Sequence, residues 1–138
     1  MKTLIADIMS TNLIKVRPSD SLKKVDDLFL SHQIHHILVA EGNHLEGIIS
    51  IVNLKDLKRG RRVELTGYEA LENKSLLDNF SARSIMTYFP VTVKASDSLK
   101  IVADLFLENN FHAAPVLDKD ENLVGIITVY DLIKHAYS

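Results

Sequence analysis

Ser19-Asp20-Ser21-Leu22-Lys23-Lys24-Val25-Asp26-Asp27-Leu28-Phe29-Leu30 returns 77 residues later as Ser96-Asp97-Ser98-Leu99-Lys100-Ile101-Val102-Ala103-Asp104-Leu105-Phe106-Leu107. Extended in both directions at the same shift, Ile8–Val39 and Ile85–Val116 are identical at 15 of 32 positions, which is too many for chance and marks two copies of one structural unit. The turn Asp118-Lys119-Asp120-Glu121-Asn122 in the second copy carries one inserted residue. Gly47-Ile48-Ile49-Ser50 therefore pairs with Gly125-Ile126-Ile127-Thr128 at a shift of 78. The chain divides into a first repeat over residues 1–60, a linker over 61–83 and a second repeat over 84–138.

Each repeat has the same coarse pattern. Leu13-Ile14-Lys15-Val16 and Val91-Thr92-Val93 are short β-prone stretches, and the Ser and Asp residues after them supply N-caps. Leu22, Val25, Leu28 and Phe29, like Leu99, Val102, Leu105 and Phe106, have the spacing of one buried helix face. A hairpin follows, from Ile37 through a turn at Gly42 or Asn43 to Ile51, and again from Pro115 to Val129. Short helices over Val52 to Leu57 and Tyr130 to Ala136 close the repeats. The result is an α+β fold, strand-helix-strand-strand-helix twice, with three-stranded sheets too small to stand alone, so the halves are expected to pack on each other. In the linker, Thr66-Gly67-Tyr68-Glu69 fits a capping box and predicts a helix towards Leu77, with Leu71 and Leu76 or Leu77 packing down.

Composition narrows the function. The length, 138 residues, leaves no room for a catalytic domain beside a regulatory one, and 46% apolar with 25% charged residues is a soluble globular balance. The net charge of −2 removes the general positive field of a nucleic-acid binder. Zero cysteines exclude disulfides, thiolate metal sites and cysteine nucleophiles, and fit a reducing compartment. No signal peptide, lipidation motif or membrane span is expected, and a cytoplasmic protein is the plain expectation. Lys55, Lys58, Arg59, Arg61 and Arg62 form a basic run without interleaved aromatics, which reads as solvated loop, and no specific nucleic acid is expected.

Chemistry-bearing patterns are few. His32, His35 and His36 cluster, but only His35 has a counterpart, His112, and no carboxylate stands at metal-ligand spacing, so no metal is expected. Glycine-rich phosphate loops and nucleophile elbows are absent, and Asp26, Asp27 and Asp104 read as the solvated face of a helix. What recurs is a polar pair where a strand meets a helix: Ser50 and Asn53, then Thr128 and Asp131. Helix capping explains that spacing. So does ligand binding, since free N–H groups at a helix start attract phosphate, a hydroxyl donates, and a carboxylate accepts from a ribose diol.

At this junction the chain resembles the cystathionine-β-synthase-type (CBS) domain, in tandem. The second repeat carries the family pattern as Ile85-Met86-Thr87, Asp97-Ser98-Leu99, His112-Ala113-Ala114-Pro115-Val116 and Gly125-Ile126-Ile127-Thr128-Val129-Tyr130-Asp131. The first is looser: Ile8-Met9-Ser10, Asp20-Ser21-Leu22, His35-His36-Ile37-Leu38-Val39 and Gly47-Ile48-Ile49-Ser50-Ile51-Val52-Asn53. The resemblance implies a regulatory pair, related by a pseudo-twofold axis, whose two clefts often bind AMP, ADP, ATP or S-adenosylmethionine without catalysis or a catalytic cofactor. It implies ribose at Asp131 and Asn53, hydroxyl contacts from Thr128 and Ser50, and phosphates near His112, His35 and His36. It implies adenine near Val91 and Pro115 in one site and Ile14 in the other. It also implies a homodimer with a regulated protein partner; the alternative is a ligand-free dimerisation or docking module.

Overall fold

The computed structural model describes residues 2–60 and 77–138. The capping box at Thr66–Glu69, Leu71, Leu76, Arg61 and Arg62 lie outside them. Strands β1 (Lys15–Val16), β2 (His36–Glu41), β3 (His44–Ser50) and β4 (Thr87–Tyr88) form one sheet in that order. Strands β5 (Val93–Lys94), β6 (Ala113–Leu117) and β7 (Leu123–Thr128) form a second. Both sheets open with a parallel pair, β1 on β2 and β5 on β6, as an intervening helix requires. That helix is α1 (Leu22–Ser31) or α3 (Leu99–Glu108), and α2 (Ile51–Gly60) or α4 (Val129–Ala136) follows the last strand of each repeat. The mixed α+β class and the strand-helix-strand-strand-helix order hold in both repeats. No helix among the described residues is long and apolar enough to cross a membrane.

The apolar stripes face inward. Ser21 is extended and its hydroxyl accepts the Lys24 N–H at 3.1 Å, which starts α1 with Leu22, Val25 and Phe29 buried and Leu28 half-buried. On α3 only Val102 is fully buried, while Leu99, Leu105 and Phe106 pack half-buried on the second core. The hydroxyl of Ser98, expected as a cap, accepts nothing; its carbonyl takes the Ile101 N–H at 3.1 Å instead. Gly42 takes the positive φ of the first hairpin turn. In the longer second turn that conformation falls to Glu121, and Asp118 gathers the N–H groups of Asp120 and Asn122.

The chain forms two compact units, and each exchanges a segment with the other repeat. One unit joins Ile14–Glu41 with Glu46–Tyr88; the other joins the chain up to Leu13, Gly42–Leu45 and Phe89–Ser138. The segment opening each repeat, here called its arm, completes the other repeat's unit through equivalent bonds. Phe80 C=O accepts from Leu22 N–H at 2.9 Å as Thr3 C=O accepts from Leu99 N–H at 3.1 Å. Ala82 N–H donates to Asp20 C=O at 2.7 Å as Ile5 N–H donates to Asp97 C=O at 2.9 Å. Thr87 then pairs with Ile48, giving the first sheet a fourth strand beyond the expected three, and Ser10 bridges Ile126 in the same way. Ala82 and Met86 enter the first core beside Val25, Ile37 and Ile49, with Leu77 packed on it; Ile5 enters the second beside Val102, Val116 and Ile127.

Where the arms cross, glycine is required at Gly47, against backbone, more strictly than at Gly125, against a flexible side chain. A Cβ on Gly47 would lie 2.7 Å from the Thr87 carbonyl oxygen, and one on Gly125 would lie 2.6 Å from Met9 Sδ.

Two acidic residues depart from the solvated-face reading or add to it. Asp26 is half-buried and receives the Lys58 ammonium at 2.6 Å, tying α1 to α2, with side chains only 15% and 28% exposed. It is therefore a structural ion pair. Asp27 and Asp104 do stay on the solvated face, paired with Lys23 and Lys100. Burial pushes the Asp20 carboxyl up, but the Arg17 N–H and the Lys24 ammonium outweigh it and hold the group below the usual carboxylate range. A lowered folded-state value stabilises above the unfolded-state value and is lost as pH falls through the folded one. Asp20→Asn is expected to remove part of the stability loss seen below about pH 4, measured as urea midpoints of both proteins across pH 2.5–6. Identical pH profiles would contradict this.

Candidate functional site

The two polar pairs lie where the sequence places them. β7 ends at Thr128 and α4 begins at Val129; β3 ends at Ser50 and α2 begins at Ile51. Strand formers up to Ile127 and Ile49 give way to a hydroxyl residue that can turn the backbone into a helix. In the second-repeat unit Thr128 Oγ1 accepts the Asp131 N–H at 3.1 Å, and Asp131 Oδ2 accepts the Thr128 N–H at 2.9 Å, a reciprocal capping box. The Val129 N–H donates to the His112 carbonyl at 2.9 Å.

The start of α4 is more closed than its sequence suggests. Of the N–H groups at Thr128, Val129, Tyr130 and Asp131, three are bonded internally, and among the described residues only Tyr130 N–H lacks a partner. The helix start is therefore not an open cluster of donors for a phosphate. In the first-repeat unit Ile51 N–H donates to the His35 carbonyl at 2.8 Å, and Asn53 N–H to Ser50 Oγ at 3.1 Å. The Ser50 hydroxyl donates in turn to Asn53 Oδ1.

Capping and ligand binding make different demands on the two pairs. Asp131 has a second oxygen that no described residue engages, and the Thr128 hydroxyl accepts one bond without donating one. Both residues are half-buried. Asn53 is exposed, and the hydroxyl proton of Ser50 is already committed to it. The second-repeat pair thus offers a charged acceptor and a hydroxyl donor, and the first-repeat pair offers less of both.

His35 and His112 bond locally, but through the backbone. Any residue could supply the carbonyls of His35 and His112, and neither exposed imidazole makes a hydrogen bond or ion pair with a described residue. The fold therefore does not explain the choice of histidine at either position. His36 is half-buried at the start of β2. Ile14 packs partly on the first core, and its carbonyl takes the Leu38 N–H at 3.2 Å. Val91 is 49% exposed, whereas Pro115 is fully buried in β6. That burial leaves the Pro115 ring no exposed surface in this structure.

In each unit the hydroxyl, the amide or carboxylate, and the histidine share one strand-helix junction; Ala113, next to His112, is paired directly with Thr128. Sequence reasoning did not find the Tyr130 N–H. Counting which first-turn donors a capping box leaves over would have pointed to it. Of the basic run, Lys58 is bound to Asp26 and Arg59 lies 3.8 Å from Asp56.

A family model of the CBS domain matches residues 5–60 and again 82–138. The crystal structure of the CBS-pair protein CBSX2 from Arabidopsis thaliana superposes with a TM-score of 0.81 at 27% identity, covering 99% of this chain and 95% of that one. CBSX2 in complex with AMP gives 0.78 at 27% identity, over 97% and 96% of the two chains. A CBS domain-containing protein of Dictyostelium discoideum is 28% identical over 134 residues, 96% of this chain and 90% of that protein. Some curated relatives are much longer: the chain spans 22% of a homoserine O-acetyltransferase of Methanocorpusculum labreanum, at 26% identity. With the family pattern matched twice, on units that have the same order of elements, the chain belongs to the CBS domain family and carries the domain as a tandem pair.

Proposed function

We propose that the chain is a regulatory module that binds an adenosine-type ligand, one of AMP, ADP, ATP or S-adenosylmethionine, and makes or breaks no bond. The observation that carries this reading is the second-repeat junction. There a half-buried carboxylate is held by one oxygen with the other open, beside a hydroxyl whose proton is unused and a histidine whose ring the fold does not employ. A ribose diol needs such an acceptor, and the AMP complex of CBSX2, similar over nearly its whole length, supports the ligand class. Asp131, Thr128, His112 and Val91 form the stronger site in this reading; Asn53, Ser50, His35, His36 and Ile14 form the weaker.

The module acts as a cytoplasmic homodimer on a protein partner. Leu30 and Leu107 hold the same position in the two repeats and are 77% and 84% exposed, and Val52 and Tyr130 are exposed likewise. Apolar side chains repeated at matching surface positions suit a symmetric contact. Thermal melting with the four ligands in turn tests the reading, because a ligand that binds only the folded state stabilises by about 2.7 kcal/mol at a hundred times its Kd. At least one ligand is expected to raise the midpoint, with light scattering on the same samples reporting a dimer. No shift with any of the four at millimolar concentration would favour a ligand-free docking module.

A further inference from the structure

The chain holds no cysteine, so its sulfur atoms are those of Met1, Met9 and Met86. Met9 and Met86 take the same place in the two arms, each with its sulfur laid against the glycine of the strand it crosses. Their surroundings differ. Met86 is 7% exposed within the first core, and Thr87–Tyr88 after it form β4 against β3. Met9 is half-buried at the margin of the second core, and after it a single residue, Ser10, pairs with Ile126 through bonds of 2.9 and 3.0 Å. The backbone donors around Met9 are already engaged. The N–H groups of Met9, Ser10 and Ile126 go to the carbonyls of Ile5, Ile126 and Ser10. A thioether accepts only weakly and needs none of them. A sulfoxide oxygen is polar, and in this seat it would either stay unsatisfied against the second core or compete for the two bonds that hold Ser10.

We propose that Met9 is a site of reversible oxidation by hydrogen peroxide, and that its sulfoxide unseats the first arm from the edge of β7 while the second arm, with Met86 covered, keeps its place. A lone pair of Met9 Sδ attacks one peroxide oxygen. An S–O bond forms and the O–O bond breaks, so the sulfur is oxidised by two electrons and the peroxide reduced; the departing hydroxide takes the proton left on the new oxygen and leaves as water. Methionine sulfoxide reductases return the thioether, and the arm can then reseat. Ile126 stands two residues before Thr128 on β7, and both turn their N–H groups to the same edge, one to Ser10 and the other to Asp131. Release of the arm therefore opens the edge beside the strand-helix junction of the second repeat. The inference is independent of what the module binds, and it makes the unit that contains Asp131 the one that answers to an oxidant.

The test exposes the folded protein and its Met9→Leu variant to millimolar hydrogen peroxide and reads each in two ways. Trypsin releases Met9 on Thr3–Lys15 and Met86 on Ser84–Lys94, and mass spectrometry of these peptides gives the extent of oxidation at each. Met9 is expected to be oxidised several times faster than Met86. Amide exchange on the oxidised protein should show Ile126 losing most of its protection, while Ile37 and Ile49, in the other unit, keep theirs. Leucine nearly matches methionine in volume, and the Met9→Leu protein still carries Met1 and Met86, so its Ile126 should stay protected through the same treatment. Equal oxidation of Met9 and Met86 would overturn the inference. So would complete oxidation of Met9 with Ile126 still protected, loss of protection in both units alike, or the same loss at Ile126 in the treated Met9→Leu protein.

Discussion

Truncating Ile5 to alanine is expected to cost about 2–5 kcal/mol, and the loss should appear in the second repeat. Ile5 is fully buried among Val93, Val102, Val116 and Ile127, so the deleted methyl groups leave a cavity in a core whose other members come from residues 93–127. Its neighbour Leu4 is exposed, and Leu4→Ala should cost about 0.5 kcal/mol or less. Hydrogen exchange resolved by peptide separates the outcomes. Amides of β6, β7 and α3 should lose protection in Ile5→Ala, while those of α1 and β2, in the other unit, should keep most of theirs. Equal loss in both repeats would show that the exchanged arm does not confine its effect to the unit it completes.

Asp131 is expected to dominate ligand affinity. With Oδ2 held by the Thr128 N–H, the open oxygen can take a charge-assisted bond from a ribose hydroxyl, so its loss should cost about 1.5–3 kcal/mol, roughly ten- to a hundredfold in Kd. Asn53→Ala should cost only about 0.5–1.5 kcal/mol, since a neutral amide oxygen that already receives the Ser50 hydroxyl has less to give. The structure also dictates the choice of variant. Asp131→Ala removes the capping oxygen as well, worth about 1 kcal/mol of stability, whereas Asp131→Asn keeps an oxygen for the Thr128 N–H and changes chiefly the charge. A more highly charged ligand can gain at His36, where the second repeat has Ala113, so AMP and ATP should both be titrated. Binding unchanged in Asp131→Asn but lost in Asn53→Ala would reverse the ranking of the two sites.

The repeat, the helix faces and the strand-helix junctions were legible in the sequence because each depends on neighbours in the chain. Leu22, Val25 and Phe29 need only helical periodicity to be placed on one face, and Thr128 with Asp131 needs only the spacing of a capping box. What escaped depends on pairing at a distance. Ile8-Met9-Ser10 and Ile85-Met86-Thr87 are so alike that nothing local says which repeat either arm completes, and the fourth strand at Thr87–Tyr88 was missed for that reason. Asp26 looked solvated because its partner Lys58 lies on another helix. The burial of Pro115 was not legible because a sequence does not show which surface of a strand is covered. A sequence shows the rings of His35 and His112 but not that their local bonds come from their carbonyls.

The reciprocal arms bear on how such a chain could arise. A shorter ancestral protein with one arm and one repeat, built to this pattern, would have a groove that its own arm does not reach. Two copies would each lend an arm to the other, and folding would depend on concentration. Tandem duplication of the gene would place both partners on one chain and replace bimolecular encounter by loop closure, whose entropic cost grows only slowly with linker length. Thereafter the two repeats would be free to diverge, one now holding aspartate and proline where the other holds Asn53 and Leu38.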